Sequence, residues 1–543
     1  MSRFIGVHLT HDAAVAVIEN GRLLFSVEME KIANAPRYAA AKTIADIEGV
    51  LQTEGITISP HDIIAIDGWK RGTLPAPFGA VVAPYHEFDS EADELCFEKT
   101  IPSPFDSGAS CVSYTHCAGH VYGAYLTAPF AGELSAYCVV WDGGVTPRLY
   151  WFDKDNGATF NCQVGKLGGA IYGIMGLYAG PFKNEEIRSG TLQPTPTKKL
   201  YAGYEVPGKL MSWIALGKRD DALTKGILAM YDELPQRALN YQPTGADEHA
   251  FMLRVVIAFP DAREEDLLLA VHSALERAIV RDTIKAVPKN SALCFVGGSA
   301  LNIKWNTALR ESGHFSEVWV PPFPNDSGSA IGAACVAAFF SSGLKRLDWS
   351  VYCGPELVRD ELDCGWAKHN CSIKELAAII VSHPTVVLYG RAEAGPRALG
   401  HRSIFANPAD IESKNTLNKF KNREHWRPVA PIAKEERTAA IFSPGTPDPY
   451  MLFDHEVRPE WKERIPAVVH IDGTARLQTV SEKDGCPVVR ELLTEFETLT
   501  GLPVLCNTSA NFNGSGFFPD IASAQRWGQT KFIWANGILY ERC

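Results

Sequence analysis

His116 and His120 stand four residues apart in THCAGHVYGAY, and on a helix that spacing projects both imidazoles from one face, at a separation one metal ion bridges. Two histidines satisfied by ordinary hydrogen bonds would give the same pattern, so the pair takes its meaning from its company. Asp142 closes the next predicted strand, SAYCVVWDGG, and Asp326 opens a second glycine-rich turn, PNDSGSAIGAA. Two imidazoles with carboxylates suit Fe(II), Mn(II) or Zn(II), and donor type alone does not choose among them.

A second constellation is cationic. Arg391, Arg397, Arg402, Lys421, Arg423, Arg427 and Arg476 fall in short, glycine-bearing motifs of a chain whose formal net charge is -11. Solvated basic faces are common, but guanidinium forks match phosphate and carboxylate oxygens. The cluster reads as a polyanion pocket. Asn507, Thr508, Ser509 and Asn511 would add amide and hydroxyl partners for phosphate and ribose, or else fix a turn. His470 and Asp472 either orient a nucleotide or cap a strand end.

Such residues need a sheet to hold them. FIGVHL and AVAVIENGRLLFSVE read as strands, with Asn20-Gly21 as a two-residue hairpin turn. AAKTIADIEGVLQTEG is an amphipathic helix leading into the strand DIIAIDGW, and SYTHCAGHVYGAYLTAPF reads as a helix ended by Pro129. SALCFVGGSALNIKWNTALRESG and VWVPPFPNDSGSAIGAACVAAFF repeat a strand, glycine turn and helix. Acidic or glycine-rich turns at successive strand ends are what an α/β sheet handling a nucleotide requires. After Phe340 the periodicity breaks. CSIKELAAIIVSHPTVVLYG then gives a helix and a buried strand. The predicted organisation is a first domain over 1–345, a linker over 346–370 and a second domain over 371–543.

The bulk properties narrow the function. A length of 543 residues suits two domains, and 46% hydrophobic with 21% charged residues is globular composition. Net acidity disfavours broad attachment to nucleic acid or anionic lipid, so a small-molecule partner is expected. The N-terminus lacks a continuous apolar signal region, no stretch is long enough for a membrane span, and a cytoplasmic protein is expected. The 13 cysteines include no CxxC pair and read as reduced, mostly buried thiols.

The HxxxH helix, the WDGG turn, PGKLMSWIALGK, VGGSALNIKWN and PNDSGSAIGAA occur in the order seen in the NodU/CmcH carbamoyltransferases. GRAEAGPRALGHRSIFANP, KNREHWRPVAPI, HIDGTARLQTV and PVLCNTSANFNG resemble the C-terminal motifs of the same family. The resemblance implies an actin-like ATPase (Kae1-like) N-terminal domain and a YrdC-like α/β C-terminal domain. It implies His116, His120 and Asp326 as ligands of a metal, usually iron as Fe(II), with Asp142 a further ligand or its neighbour. Gly143, Gly144, Lys209, Gly297, Gly298 and Asn302 would hold nucleotide in the first domain. Arg391, Arg397, Arg402, Arg427, His470, Arg476, Asn507, Thr508, Ser509 and Asn511 would hold ATP, with Mg(II), and carbamoyl phosphate in the second. Lys421 and Arg423 are implied as catalytic there. His11, in THDAA, is implied as the base that deprotonates an acceptor alcohol; without the resemblance, His11 or Asp12 merely capping the first turn is the favoured reading.

The implied reaction is carbamoyl-adenylate formation followed by transfer to a hydroxyl of a small metabolite. The chain departs from the family pattern after the first hairpin, where VEMEKIANAPRY replaces an acidic pair followed by Arg-Phe, and at NGSGFFPDIASAQRW. Threonylcarbamoyl transfer to tRNA and a non-catalytic ATP-binding module are the rival readings. A homodimer is a further expectation, by analogy with actin-like domains.

Overall fold

The computed structural model describes residues 3–68, 73–74, 78–83, 98–191, 203–237, 245–362, 364–483 and 485–543. Contacts divide the chain into two units that are not contiguous in sequence. The first comprises Met1–His8, Val15–Arg22 and Lys42–Asp348; the second comprises Leu9–Ala14, Leu23–Ala41 and Trp349–Cys543. Both are α/β, with mixed sheets.

In the first unit the strand Arg3–His8 lies between Ala14–Glu19 and Ile63–Asp67, with Ser110–Tyr114 and then Lys99–Thr100 beyond. Arg3–His8, Ile63–Asp67 and Ser110–Tyr114 run parallel, so His8, Asp67 and Tyr114 all lie at the same end. A second sheet repeats the order around Ala136–Val140. Its neighbours are antiparallel Arg148–Asp153, which pairs onward with Gly157–Gln163, and parallel Ala292–Val296, followed by Glu317–Trp319. Parallel neighbours in each sheet gather strand ends at one edge, where turns can present polar groups.

Two helices carry chemistry between these sheets. His116–Leu126 is buried along its whole length, and Ser329–Ser342 is buried from Ser329 to Phe339. Small residues let them touch backbone to backbone. A Cβ added at Gly332 would lie 2.1 Å from the Gly119 carbonyl oxygen, and one at Gly6 would lie 1.8 Å from that of Ala330. The helix expected from Ser113 begins only at His116, because Ser110–Tyr114 pairs along its length with Ile63–Asp67.

The second unit is built on an eight-stranded mixed sheet, with Thr385–Leu388, Arg402–Ala406, Val504–Ser509 and Ala430–Lys434 adjacent at its centre. The helices Ile373–Ser382 and Pro487–Thr500 supply Leu376, Ile380, Leu493 and Phe496 to the core formed with Val386, Ile404 and Leu505. Ser372 and Glu375 close a capping box at the start of the first of these.

The segment expected as a linker is part of this unit. Val351, Cys353 and Leu357 are buried, and Trp366–Asn370 is an edge strand antiparallel to Ile538–Arg542. Irregular but buried backbone has no periodicity to read. Leu23–Ala41 joins the same unit through backbone bonds such as Ser26 N–H to Cys353 O at 2.8 Å and Arg37 N–H to Gly514 O at 2.9 Å. No helix of the described residues is long and apolar enough to cross a membrane.

Candidate functional site

The first unit gathers four donors. His116 and His120 project from one helix face with their Nε2 atoms 3.0 Å apart. Asp326, which opens the 3-10 turn ahead of the Ser329–Ser342 helix, places Oδ1 3.4 Å from His116 Nε2 and 3.5 Å from His120 Nε2. Asp142 Oδ2, just past Ala136–Val140, is 3.9 Å from His116 Nε2. One ligand atom from each of the four lies within 4.8 Å of the others, and all four residues are buried.

A carboxylate behind His116 and His8 sets their tautomers. Asp67 Oδ2 lies 2.8 Å from His116 Nδ1 and 2.9 Å from His8 Nδ1. Burial opposes the Asp67 charge, yet attraction and hydrogen bonds from His116 and His8 outweigh it and bring its pKa to about 2. An ionised Asp67 takes the Nδ1 protons, which leaves the Nε2 lone pairs facing inward. His120 Nε2, 3.0 Å away, meets the His116 lone pair either by donating its own proton or across a cation. For Asp142, burial and the Asp326 charge raise the pKa, but the His116 hydrogen bond and the two imidazoles win and the net shift is downward. Donors of this kind fit a divalent transition metal.

The adjoining turns are tight. Asp142 Oδ1 accepts the Gly298 N–H at 2.7 Å, and Gly297 has φ 95°, where an added Cβ would lie 2.5 Å from the Trp141 carbonyl oxygen. Gly143 O accepts the Ala170 N–H at 3.1 Å, and Gly144 follows in the same turn. Asn302 serves the scaffold, since its Oδ1 caps the Ile303–Glu311 helix by accepting from Lys304 and Trp305 N–H. Lys209 sits over the Phe182 ring at 5.6 Å. His11 lies in Leu9–Ala14, grouped with the second unit, beside Asp12 at φ 61°.

In the second unit, four of the expected cations share one buried field. Burial and the neighbouring arginines lower Arg397 to about 10 and Arg423 to about 9. Arg476 falls well below the usual range through burial and the charges of Arg397, Arg423 and Arg427. Arg427 also shifts down, chiefly by burial. The Nε groups of Arg397, Arg427 and Arg476 have no hydrogen-bond partner among the described residues. Buried donors left open within a field of like charge call for an anion.

The remaining expected residues are mostly committed to the scaffold. Lys421 gives its ammonium protons to Ser509 O, Asn511 O and Asn511 Oδ1. Burial, with Arg423 and Arg37, pushes its pKa well down. Asn511 is a hub, accepting also from Ser509 Oγ and donating to Phe512 O and Ser515 O. Arg402 spends its guanidinium on Tyr389 O, His401 O and Gly390 O. Arg391 faces Glu356 at 4.0 Å. Asn507 donates to Ala398 O and Gln478 Oε1, and His470 lies 3.3 Å from both Trp426 O and Asp472 Oδ1. Thr508 Oγ1 accepts from Arg423 at 3.4 Å.

Sequence reasoning missed four residues. Asp67 and His8 close their strands as Asp142 does, so the strand-end signal was available. Asp448, whose carboxylate accepts Leu452 and Phe453 N–H at 2.9 Å, is the countercharge to Arg397 and Arg476 and gave no local signal. Arg37 stands far from the C-terminal motifs in sequence.

The carbamoyltransferase N-terminus family matches residues 3–95 and 106–335, and the carbamoyltransferase C-terminus family matches 377–533. The chain is 45% identical over 572 residues to nodulation protein U of Rhizobium tropici, covering 99% of this chain and 96% of that protein. It is 33% identical over 515 residues to the 3'-hydroxymethylcephem-O-carbamoyltransferase of Amycolatopsis lactamdurans, covering 93% of this chain and 92% of that enzyme.

Proposed function

The chain belongs to the NodU/CmcH carbamoyltransferase family, and from that premise we propose an ATP-dependent O-carbamoyltransferase with two chemistries. The second unit makes carbamoyl-adenylate, and the first passes the carbamoyl group to a hydroxyl of a small metabolite. The observation that supports this division is the contrast between a buried arginine-rich field in one unit and a buried two-histidine, two-carboxylate cluster in the other. The strand order repeated in the two sheets of the first unit supports reading it as actin-like of the Kae1 type. The second unit we read as YrdC-like from its motifs.

In the second unit, water and carbamoyl phosphate give carbamate and inorganic phosphate as the carbonyl C–O bond to phosphate breaks. A carbamate oxygen then bonds to the α-phosphorus of ATP while the bond to pyrophosphate breaks. Arg397, Arg423, Arg427 and Arg476 would hold the phosphate oxygens and offset the charge that shifts onto the leaving group. Lys421 and Asn511 keep the Ser509–Asn511 backbone in place beside them.

In the first unit His116, His120, Asp326 and Asp142 would hold a divalent metal, Fe(II) in our reading, which when bound would act as a Lewis acid toward phosphate. The acceptor alcohol would lose its proton as its oxygen bonds to the carbamoyl carbon and AMP leaves; His11, which the family resemblance implies as the base, is grouped with the second unit and not with these ligands. Arg423→Ala should abolish carbamoyl-phosphate-dependent ATP–pyrophosphate exchange. His116→Ala should spare that exchange and stop carbamoylated product, read by mass spectrometry on a panel of hydroxyl compounds. Equal loss of both activities in both variants would refute the division.

A further inference from the structure

We infer that Arg37 is an anion-binding residue of the arginine field in the second unit, supplied by a segment that departs from the family pattern and that sequence order assigns to the other domain. The inference rests on the proposed anion chemistry of that unit and adds a ligand to it. Its ligand class is a phosphate oxygen, from either the acyl phosphate or the polyphosphate of the nucleotide.

The geometry begins with the backbone around Arg37. Pro36 forms an antiparallel bridge with Ser515, Arg37 N–H donates to Gly514 O at 2.9 Å, and Gly516 N–H donates to Ala35 O at 3.1 Å. A Cβ at Gly516 would lie 1.9 Å from Glu30 O, so the two segments are in backbone contact. The loop they meet follows directly on Ser509 and Asn511, which hold Lys421.

A second attachment reaches the loop that leads to Arg397. The buried Lys31 donates to Glu28 Oε1 at 2.7 Å, to Gly395 O at 2.8 Å and to Glu393 O. Glu28 Oε1 in turn accepts the Gly395 N–H at 2.7 Å, and Glu393 Oε1 accepts Leu399 and His401 N–H. One short segment therefore joins the loops on both flanks of the arginine field.

Its backbone is held where side chains are disfavoured. Ala33, Asn34 and Tyr38 have φ of 51°, 58° and 62°, and Glu30 Oε2 accepts the Tyr38 N–H at 3.0 Å. Such conformations are unfavourable for residues with a Cβ and persist where surrounding contacts impose them. What this constraint positions is Arg37, half-buried and, among the described residues, paired with no carboxylate. Its charge contributes to the depressed pKa of Arg397, Arg423, Arg427 and Lys421, which places it in their company.

Calorimetric titration of the full chain with carbamoyl phosphate and, separately, with pyrophosphate tests this, using wild type, Arg37→Gln, Arg37→Lys and Arg423→Ala. Arg37→Gln should weaken one of the two anions at least tenfold, and the anion affected identifies the source of the oxygen. Arg37→Lys should recover part of the loss, and the thermal midpoint of both variants should match wild type. Wild-type affinity for both anions in Arg37→Gln, with loss in Arg423→Ala, overturns the role of Arg37 alone. Undiminished binding in Arg423→Ala overturns the anion reading of the unit and the inference with it.

Discussion

The two candidate sites solve the burial of charge in opposite ways. In the first unit, Asp67, Asp142 and Asp326 face His8, His116 and His120, so the signs are interleaved. Opposite signs adjoin there, although the Asp326 charge works against that of Asp142. In the second, Arg397, Arg423, Arg427 and Arg476 depress one another, and Asp448 is the buried carboxylate acting on Arg397 and Arg476. The first site sets three carboxylates against three imidazoles. The second sets four guanidiniums against one buried carboxylate, an excess of like charge that an anion would relieve, so folding and ligand binding should be coupled there.

That contrast can be broken by experiment. The largest expected effect is stabilisation by anion: pyrophosphate at about one hundred times its Kd should raise unfolding free energy by about 2.7 kcal/mol. The gain should survive in His116→Ala and vanish in Arg423→Ala when followed by thermal unfolding. Persistence of the gain in Arg423→Ala would place the anion elsewhere.

A smaller change is expected behind the histidines. Asp67→Asn keeps the size of the side chain but removes the charge that fixes the His116 and His8 tautomers. Metal affinity measured by competition with a chelator should fall about 10- to 100-fold, with pyrophosphate binding unchanged. Unaltered metal affinity would show that the ligands need no orienting carboxylate.

The smallest effect runs in the opposite direction. Arg476→Met removes one buried like charge and should stabilise the anion-free protein by about 1 kcal/mol while impairing pyrophosphate exchange. Loss of stability in that variant would show that Asp448 already compensates the field.

Much of the first site was legible because its signals are local. The four-residue spacing of His116 and His120, and acids placed where strands end, survive in one dimension. The missed Asp67 carries the same strand-end signal as Asp142, and its importance came only from where a parallel neighbour put it. The second site was legible as a set of motifs but not as a partition of roles. Arg402 and Arg423 look alike in sequence. One is consumed by backbone carbonyls, and the other, among the described residues, meets Thr508 Oγ1 at 3.4 Å.

By itself the sequence determined the family, the α/β class, the two-histidine, two-carboxylate donor set and the presence of arginine-rich C-terminal motifs. These follow from residue type, order and short-range periodicity, which the chain carries wherever it folds. Only the tertiary structure decided which cations remain open to a ligand, which carboxylate orients the histidines, and that Leu23–Ala41 belongs with the C-terminal unit. Those outcomes depend on long-range hydrogen bonds and on burial, both set by partners tens to hundreds of residues away.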